Sequence, residues 1–373
     1  MADEGFLERR LTAIARRGGL RELPGSRSGV DFWSNDYLGF ARELRPDPSA
    51  FTTAPGSRLI SGDHGEIQEL EQRIARFHGM PAALLFGSGY AANTGLIGCI
   101  AGRTDTIIYD ELIHASMRDG VRLSGAAARR CHHNSVEQAS SLIRNARADG
   151  EVFFLTESRF SMDGDLAPLR ELAEVCAEAG AHLIVDEAHS IGIDGPLGAG
   201  LVAELQLQEK VFAVVTTFGK AMGCAGAAVL GSGQLRSYLI NSSRPFIFTT
   251  APRPEQLSAI AAAYRLLETR QPAARARLAS VVERFGINAF YLRIQPPDRT
   301  ITGPIQLVYP RGKGDVMQIE RAVLEDGFLV KGIRSPSVPS GKERLRICLH
   351  AFNTASEVDE LTGSLRRRLE QFM

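Results

Sequence analysis

VFAVVTTFGKAMGCAGAAVLG, residues 211–231, holds one charged side chain in twenty-one positions, Lys220. Two apolar, β-rich runs flank it, VFAVVTT (211–217) and GAAVLG (226–231). The other four lysines, at 210, 313, 331 and 342, stand in charged or turn-like settings: LQEK, RGKGD, VKGIR and SGKER. An amine in apolar surroundings titrates low, because burial disfavours the ammonium. It then becomes available as a nucleophile or Schiff-base former. The bland alternative is a lysine that snorkels its ammonium to water. Rarity, isolation and a place just after a strand favour a functional Lys220.

LIVDEAHS (183–190) supplies a partner. A buried strand runs into Asp186, and Lys220 follows the next strand 34 residues later. The letters DEAH also occur in nucleotide-driven helicases, but those need a G-x-x-x-x-G-K-[ST] phosphate loop. The Gly-Lys pairs at 219–220, 312–313 and 341–342 lack the following Ser or Thr, and Val214, Leu307 and Pro336 stand where the first glycine is required. A lysine imine with an aspartate that keeps a ring nitrogen protonated is instead the arrangement for pyridoxal phosphate. His189 is a candidate cofactor contact or an ordinary loop histidine. FGSGYAANTG (86–95) offers a strand, a Gly-Ser-Gly turn and a helix start, whose free N–H groups suit a phosphate. Thr217 could add a hydroxyl.

Buried runs alternate with helical stretches from about residue 64: AALLF, DTIIYD, EVFFLTE, HLIVDE, VFAVVTT and GAAVLG. That alternation predicts an α/β fold with a mostly parallel sheet covered on both faces. Ligands of such sheets bind beyond the carboxyl ends of the strands, where ionisable groups gather in this chain. After about residue 250 the texture changes to two long helical stretches, 253–270 and 273–291, then isolated strands and a closing helix. This predicts three parts: an N-terminal arm over 1–45 with a short amphipathic helix, a large domain over 46–255, and a smaller α+β domain over 256–373.

Charge is balanced, 43 basic against 43 acidic side chains, so nothing points to nucleic acid or a charged membrane surface. No apolar run is long enough for a transmembrane helix, and the N-terminus does not read as a signal peptide. The five cysteines are scattered without a C-x-x-C pair, which suits free thiols in a cytoplasmic protein and no metal site.

With these residues in place, the chain resembles the α-oxoamine synthases, a pyridoxal-phosphate group within the aspartate-aminotransferase fold type. The resemblance covers nearly the whole chain. It is carried by SNDYLGF, GSRLISGDHGEIQELE, LLFGSGYAANTG, YDELIHASMRDG, ESRFSMDGD, IVDEAHSIGIDGPLGAGL, TTFGKAMGCAGAAVLG, FIFTTAP and IRSPSVPSGKERLRICLHA. It implies a type I pyridoxal-phosphate transferase fold with a seven-stranded sheet, and a homodimer with its active site at the subunit interface. Lys220 would bond the cofactor, Asp186 would pair with its ring nitrogen, His189 would meet the ring oxygen, and His114 would stack on the ring. Ser88, Gly89, Tyr90 and Thr217 would hold the phosphate, and Thr250 would reach it from a partner subunit. Glu157 and Ser161 would line the site. Arg346 would bind the amino-acid carboxylate, with Asn35 nearby and Arg21 as a further contact from the arm.

The implied activity is a decarboxylating condensation of an amino acid with an acyl-CoA or acyl-carrier-protein thioester. L-alanine with a pimeloyl thioester, a step of biotin biosynthesis, is the preferred pair. Glycine with an acetyl thioester, or another pair used in the family, is the nearest alternative, and a non-catalytic protein on the same scaffold is the alternative of another class. The chain departs from the family's pattern at Pro55, at Arg159 where a small or apolar residue is usual, at Ala225, in PLGAG, and at Ala251.

Overall fold

The chain's apolar runs form the centre of a sheet in a computed structural model, which describes residues 5–16, 20, 27–45, 56–146, 149–292, 294–295, 303–310, 315–335 and 338–372. Arg21 and Pro55 lie outside the described residues. Contacts divide the chain into two units, Asn35–Leu278 and Met1–Ser34 with Ala279–Met373.

The first unit is built on seven strands: β1 (Ala82–Phe86), β2 (Thr106–Asp110), β3 (Ala127–Cys131), β4 (Val152–Glu157), β5 (His182–Asp186), β6 (Ala213–Thr217) and β7 (Ala227–Gly231). Their order across the sheet is β1-β7-β6-β5-β4-β2-β3. β7 runs antiparallel to both its neighbours, and the remaining pairs are parallel. Every residue of β6 and β7 is buried. A strand covered on both faces reads as a continuous apolar run for that reason, each large aliphatic side chain contributing about 1.5–3 kcal/mol. β3, AARRC, was not expected. It is an edge strand paired only to β2, and its outer side chains, Arg129 and Arg130 among them, remain partly exposed. Such a strand carries no long apolar run to announce it.

Three helices matter for the site: α1 (Gly89–Ile100), α2 (Ala115–Ser124) and α3 (Pro254–Tyr291). α1 and α2 pack closely where Gly120 stands, since a Cβ there would come within 2.8 Å of the Ile97 Cβ. α3 corrects the expectation of two helices, because it runs through Pro272 without a break. Proline removes one helical hydrogen bond and crowds the preceding turn. Burial of Leu267, Ala274 and Leu278 on both sides, and the bond from Gln271 Nε2 to the Gly192 carbonyl at 3.1 Å, hold the helix in register.

The second unit pairs Val30–Asp31 with Phe328–Leu329 in parallel, which ties the residues before Asn35 to the C-terminal part. An antiparallel sheet orders Lys331–Ile333, Arg344–Cys348 and Ile305–Val308. Its closing helix, Ala355–Gln371, starts with a capping box in which Thr354 and Glu357 satisfy each other's amides. Among the described residues no helix is long and apolar enough to cross a membrane, and no group of ligating side chains could hold a metal ion.

Candidate active site

The parallel strands deliver their carboxyl ends to one edge of the sheet, and a cavity of about 330 Å³ opens there. β1 leads into Ser88, Gly89 and Tyr90, β2 into His114, β4 ends at Glu157 with Ser161 beyond, β5 ends at Asp186 with His189 beyond, and β6 ends at Thr217 with Lys220 beyond. All of these line the cavity, and so does Asn35. Ala225 and Gly226 join them because β7, being antiparallel, begins at the edge where its neighbours end. Thr250 does not line the cavity; it is exposed. Arg346 lies in the second unit on Arg344–Cys348, is buried, and donates from one guanidinium nitrogen to Cys348 Sγ at 3.0 Å.

One end of the cavity is built for an anion. Ser88 caps α1 by accepting the Ala91 amide at 3.2 Å, so the first turn of the helix, Gly89 and Tyr90, faces the cavity with N–H groups the helix itself does not use. Gly89 is pressed on β6: a Cβ would meet Thr217 Cγ2 at 2.4 Å. The Thr217 hydroxyl is buried and has no hydrogen-bond partner among the described residues. An unpartnered buried hydroxyl beside a helix N-terminus fits a phosphate.

The other groups set a charge pattern. Asp186 is 4% exposed and accepts two hydrogen bonds, from the Ala188 amide at 2.9 Å and from Asn93 Nδ2 at 2.7 Å. Neighbouring Glu157 sits opposite it in the β4–β5 register. Burial first, and then the charge of Asp186, raise the Glu157 carboxyl to about 8, against the pull of Lys220 and the amides of His114 and Ser161. Burial holds the His114 imidazole below its ordinary range; Lys220 pushes the same way and Asp186 opposes. Tyr37, fully buried, places its hydroxyl 2.8 Å from His189 Nδ1 and 3.1 Å from Asn35 Oδ1. An anion, a neutral imidazole, an amine and a phosphate cradle in one cavity fit pyridoxal phosphate.

Sequence reasoning did not single out Asn93 and Ser116, which line the cavity, or Tyr37, which touches Asn35 and His189. Asn93 was readable only as a polar residue in an apolar helix start, and Tyr37 only as part of SNDYLGF. The departures from the family's pattern resolve differently. Arg159 is 2% exposed, and its guanidinium ends on Asp194 at 2.8 Å and the Gly164 carbonyl at 3.0 Å, so it ties loops together and does not line the cavity. Ala251 is buried and donates its amide to the Gly56 carbonyl at 3.0 Å. A larger cavity of about 610 Å³ lies elsewhere in the same unit, but its central charges answer one another: Glu71 takes Arg58 and, at 2.8 Å, Arg236.

The loops at this edge share a clamp. His133, just after β3, meets Asp110 at the end of β2 at 3.1 Å and Asp165, beyond Ser161, at 2.7 Å. Burial alone would lower this imidazole, but hydrogen bonds and charge from both carboxylates outweigh it and raise it to about 10. A folded-state value above the unfolded one stabilises fully below the unfolded value and is lost as pH rises through the folded value. His133→Gln should therefore cost about 1–3 kcal/mol at slightly acidic pH. The deficit should shrink through the alkaline range and vanish above about 10. Urea midpoints of parent and variant across that range check it; a deficit that is constant with pH would dismiss the clamp.

The class I and II aminotransferase family model matches residues 27–365. The 8-amino-7-oxononanoate synthase of Anaeromyxobacter dehalogenans is 39% identical, with 97% of this chain and 92% of that protein covered. That of Alkalilimnicola ehrlichii is also 39% identical, covering 100% and 98%. Among solved structures, the serine palmitoyltransferase of Sphingomonas wittichii superposes with a TM-score of 0.88 at 27% identity, covering 100% of this chain and 99% of that one. The 8-amino-7-oxononanoate synthase of Francisella tularensis superposes with a TM-score of 0.79 at 28% identity, covering 92% and 98%. A serine palmitoyltransferase of S. paucimobilis, with a TM-score of 0.87 at 25% identity and coverage of 99% and 98%, was solved with a pyridoxal-phosphate adduct bound. The chain therefore belongs to the class I and II aminotransferase family, within its α-oxoamine synthase group.

Proposed function

We propose that this protein is a pyridoxal-phosphate-dependent acyltransferase that condenses L-alanine with a pimeloyl thioester to 8-amino-7-oxononanoate, releasing carbon dioxide and the thiol, in biotin biosynthesis. The observation that carries this reading is the convergence of Lys220, Asp186, His114 and the unpartnered Thr217 hydroxyl on one cavity. Identity of 39% over the full chain to synthases named for that product supports the substrate pair.

Bound pyridoxal phosphate supplies an electron sink for breaking the Cα–H and carboxyl bonds. Lys220 would hold the cofactor, and its Nζ would take the Cα proton as general base. Asp186, which accepts one hydrogen bond on each oxygen, would pair with the cofactor's ring nitrogen. His114 would cover one face of the cofactor and exclude water, and His189, held by the Tyr37 hydroxyl, would meet the ring oxygen. Thr217, Ser88, Gly89 and Tyr90 hold the phosphate. Glu157 and Ser161 line the substrate side. Arg346 presents a planar, two-pronged cation suited to the amino acid's carboxylate, with Asn35 and Arg21 as further contacts. The family resemblance assigns Thr250, which is exposed, to a neighbour's site in a homodimer.

The test pairs L-alanine or glycine with pimeloyl-CoA or acetyl-CoA and follows thiol release. L-alanine with the pimeloyl thioester should turn over fastest, by about tenfold or more over pairs differing in amino acid or chain length. Thiol release that requires glycine and acetyl-CoA would overturn the substrate assignment.

A further inference from the structure

Asn93 stands one turn into α1, 1% exposed, where an apolar helix would be expected to carry an aliphatic residue. Its Nδ2 donates twice, to Asp186 Oδ2 at 2.7 Å and to Ser116 Oγ at 3.0 Å. Ser116 Oγ lies 2.8 Å from His114 Nδ1, which also receives the Ser116 amide at 3.2 Å. Both amide hydrogens of Asn93 are thus used. The amide cannot turn over, because its oxygen would then face a carboxylate. Ser116 Oγ accepts from Asn93, so its own proton goes to His114 Nδ1. Nδ1 is therefore an acceptor, and the neutral imidazole carries its proton on Nε2. The Asn93 Oδ1 is buried with no partner among the described residues. A site that tolerates an unsatisfied buried oxygen has a reason to keep the donors.

We propose that Asn93 is a positioning residue that locks Asp186 and His114 into one hydrogen-bonded unit, fixing the carboxylate's direction and the imidazole's tautomer together. The proposal rests on the reading that pyridoxal phosphate occupies this cavity, with Asp186 serving its ring nitrogen and His114 its face. Close packing of α1 on α2 at Gly120 is what brings Asn93 beside Ser116. The two bonds from Asn93 thereby reach two strand ends, those of β2 and β5. A mere space-filling role would leave the side chain replaceable by leucine, which has the same number and branching of side-chain heavy atoms and no hydrogen-bonding group.

Asn93→Leu, Ser116→Ala, the double variant and the parent separate these roles. Each apoprotein is titrated with pyridoxal phosphate, and the visible absorbance of the bound cofactor is followed against pH. Asn93→Leu should weaken cofactor binding about tenfold and shift the pH midpoint of the chromophore by about one unit, the scale of a lost charge-assisted bond. Ser116→Ala should weaken binding by a smaller factor. The double variant should be no worse than Asn93→Leu, because both cut one chain. Parent-like affinity and midpoint in Asn93→Leu, or strictly additive effects, would overturn the proposal. If Asn93→Leu does not fold, Ser116→Ala decides, and a parent-like affinity and midpoint there overturn it as well. Failure of the parent itself to take up pyridoxal phosphate would instead remove the cofactor reading on which the proposal stands.

Discussion

Lys220→Ala should lose turnover by about 10³-fold or more, since the side chain serves both as covalent anchor and as general base. The loss should come without loss of fold. The turn that carries Lys220 is fixed by its neighbours' burial and backbone hydrogen bonds. Phe218, Ala221 and Met222 are fully buried on either side of it. The Phe218 amide donates to the Gly226 carbonyl at 2.9 Å, and the Cys224 amide to the Phe218 carbonyl at 2.8 Å, closing the turn between β6 and β7. Lys220 lines the cavity from this pinned turn together with Gly219, Ala225 and Gly226, and its charge acts on both His114 and Glu157. Borohydride should fix the cofactor on parent Lys220 and on nothing in the variant. Lys220→Arg is the sharper control. It keeps a cation in place but cannot shed its proton at working pH, so it should be as inactive as the alanine variant. Turnover within tenfold of the parent in either variant would remove Lys220 from the chemistry.

The strand ends were legible because parallel strands buried on both faces write themselves as apolar runs, and the first polar residues after each run must lie at the ligand-binding edge. Lys220, Asp186 and Ser88 were found that way, while Glu157 and His114 were assigned only by the resemblance to the α-oxoamine synthases. β3 escaped because an edge strand with Arg129 and Arg130 has no such run. Ala225 and Gly226 escaped because an apolar run does not state its direction, and only an antiparallel β7 brings its start to the site. Pro272 misled because a local rule against proline in helices was overridden by packing on both sides of it. Asn93 and Ser116 escaped for a deeper reason. Their meaning lies in a contact between two helices, 23 residues apart in sequence, and neither has a local pattern that marks it.

Asp186→Asn should be nearly isosteric and still cost about 10²–10³-fold in turnover, because it removes the charge that keeps the cofactor's ring nitrogen protonated. The surroundings make the change worse than a simple neutralisation. Asp186 accepts from the Ala188 amide and from Asn93 Nδ2, one donor on each oxygen. An asparagine must turn its own NH₂ toward one of them, leaving donor against donor in a buried place. A pH signature separates this from general disruption. The charge of Asp186 is one cause of the raised Glu157 carboxyl and opposes the lowering of His114. Its removal should bring Glu157 down from about 8 and push His114 lower still. Both shifts are measurable by titrating the two side chains in parent and variant apoprotein. If activity falls while neither group moves, the loss comes from damage to packing, and the charge pattern of the cavity is not set by Asp186. If both move as stated and activity survives, ring protonation is maintained by some other group. Only the combination of moved titrations and lost turnover makes this carboxylate the ring's counter-charge.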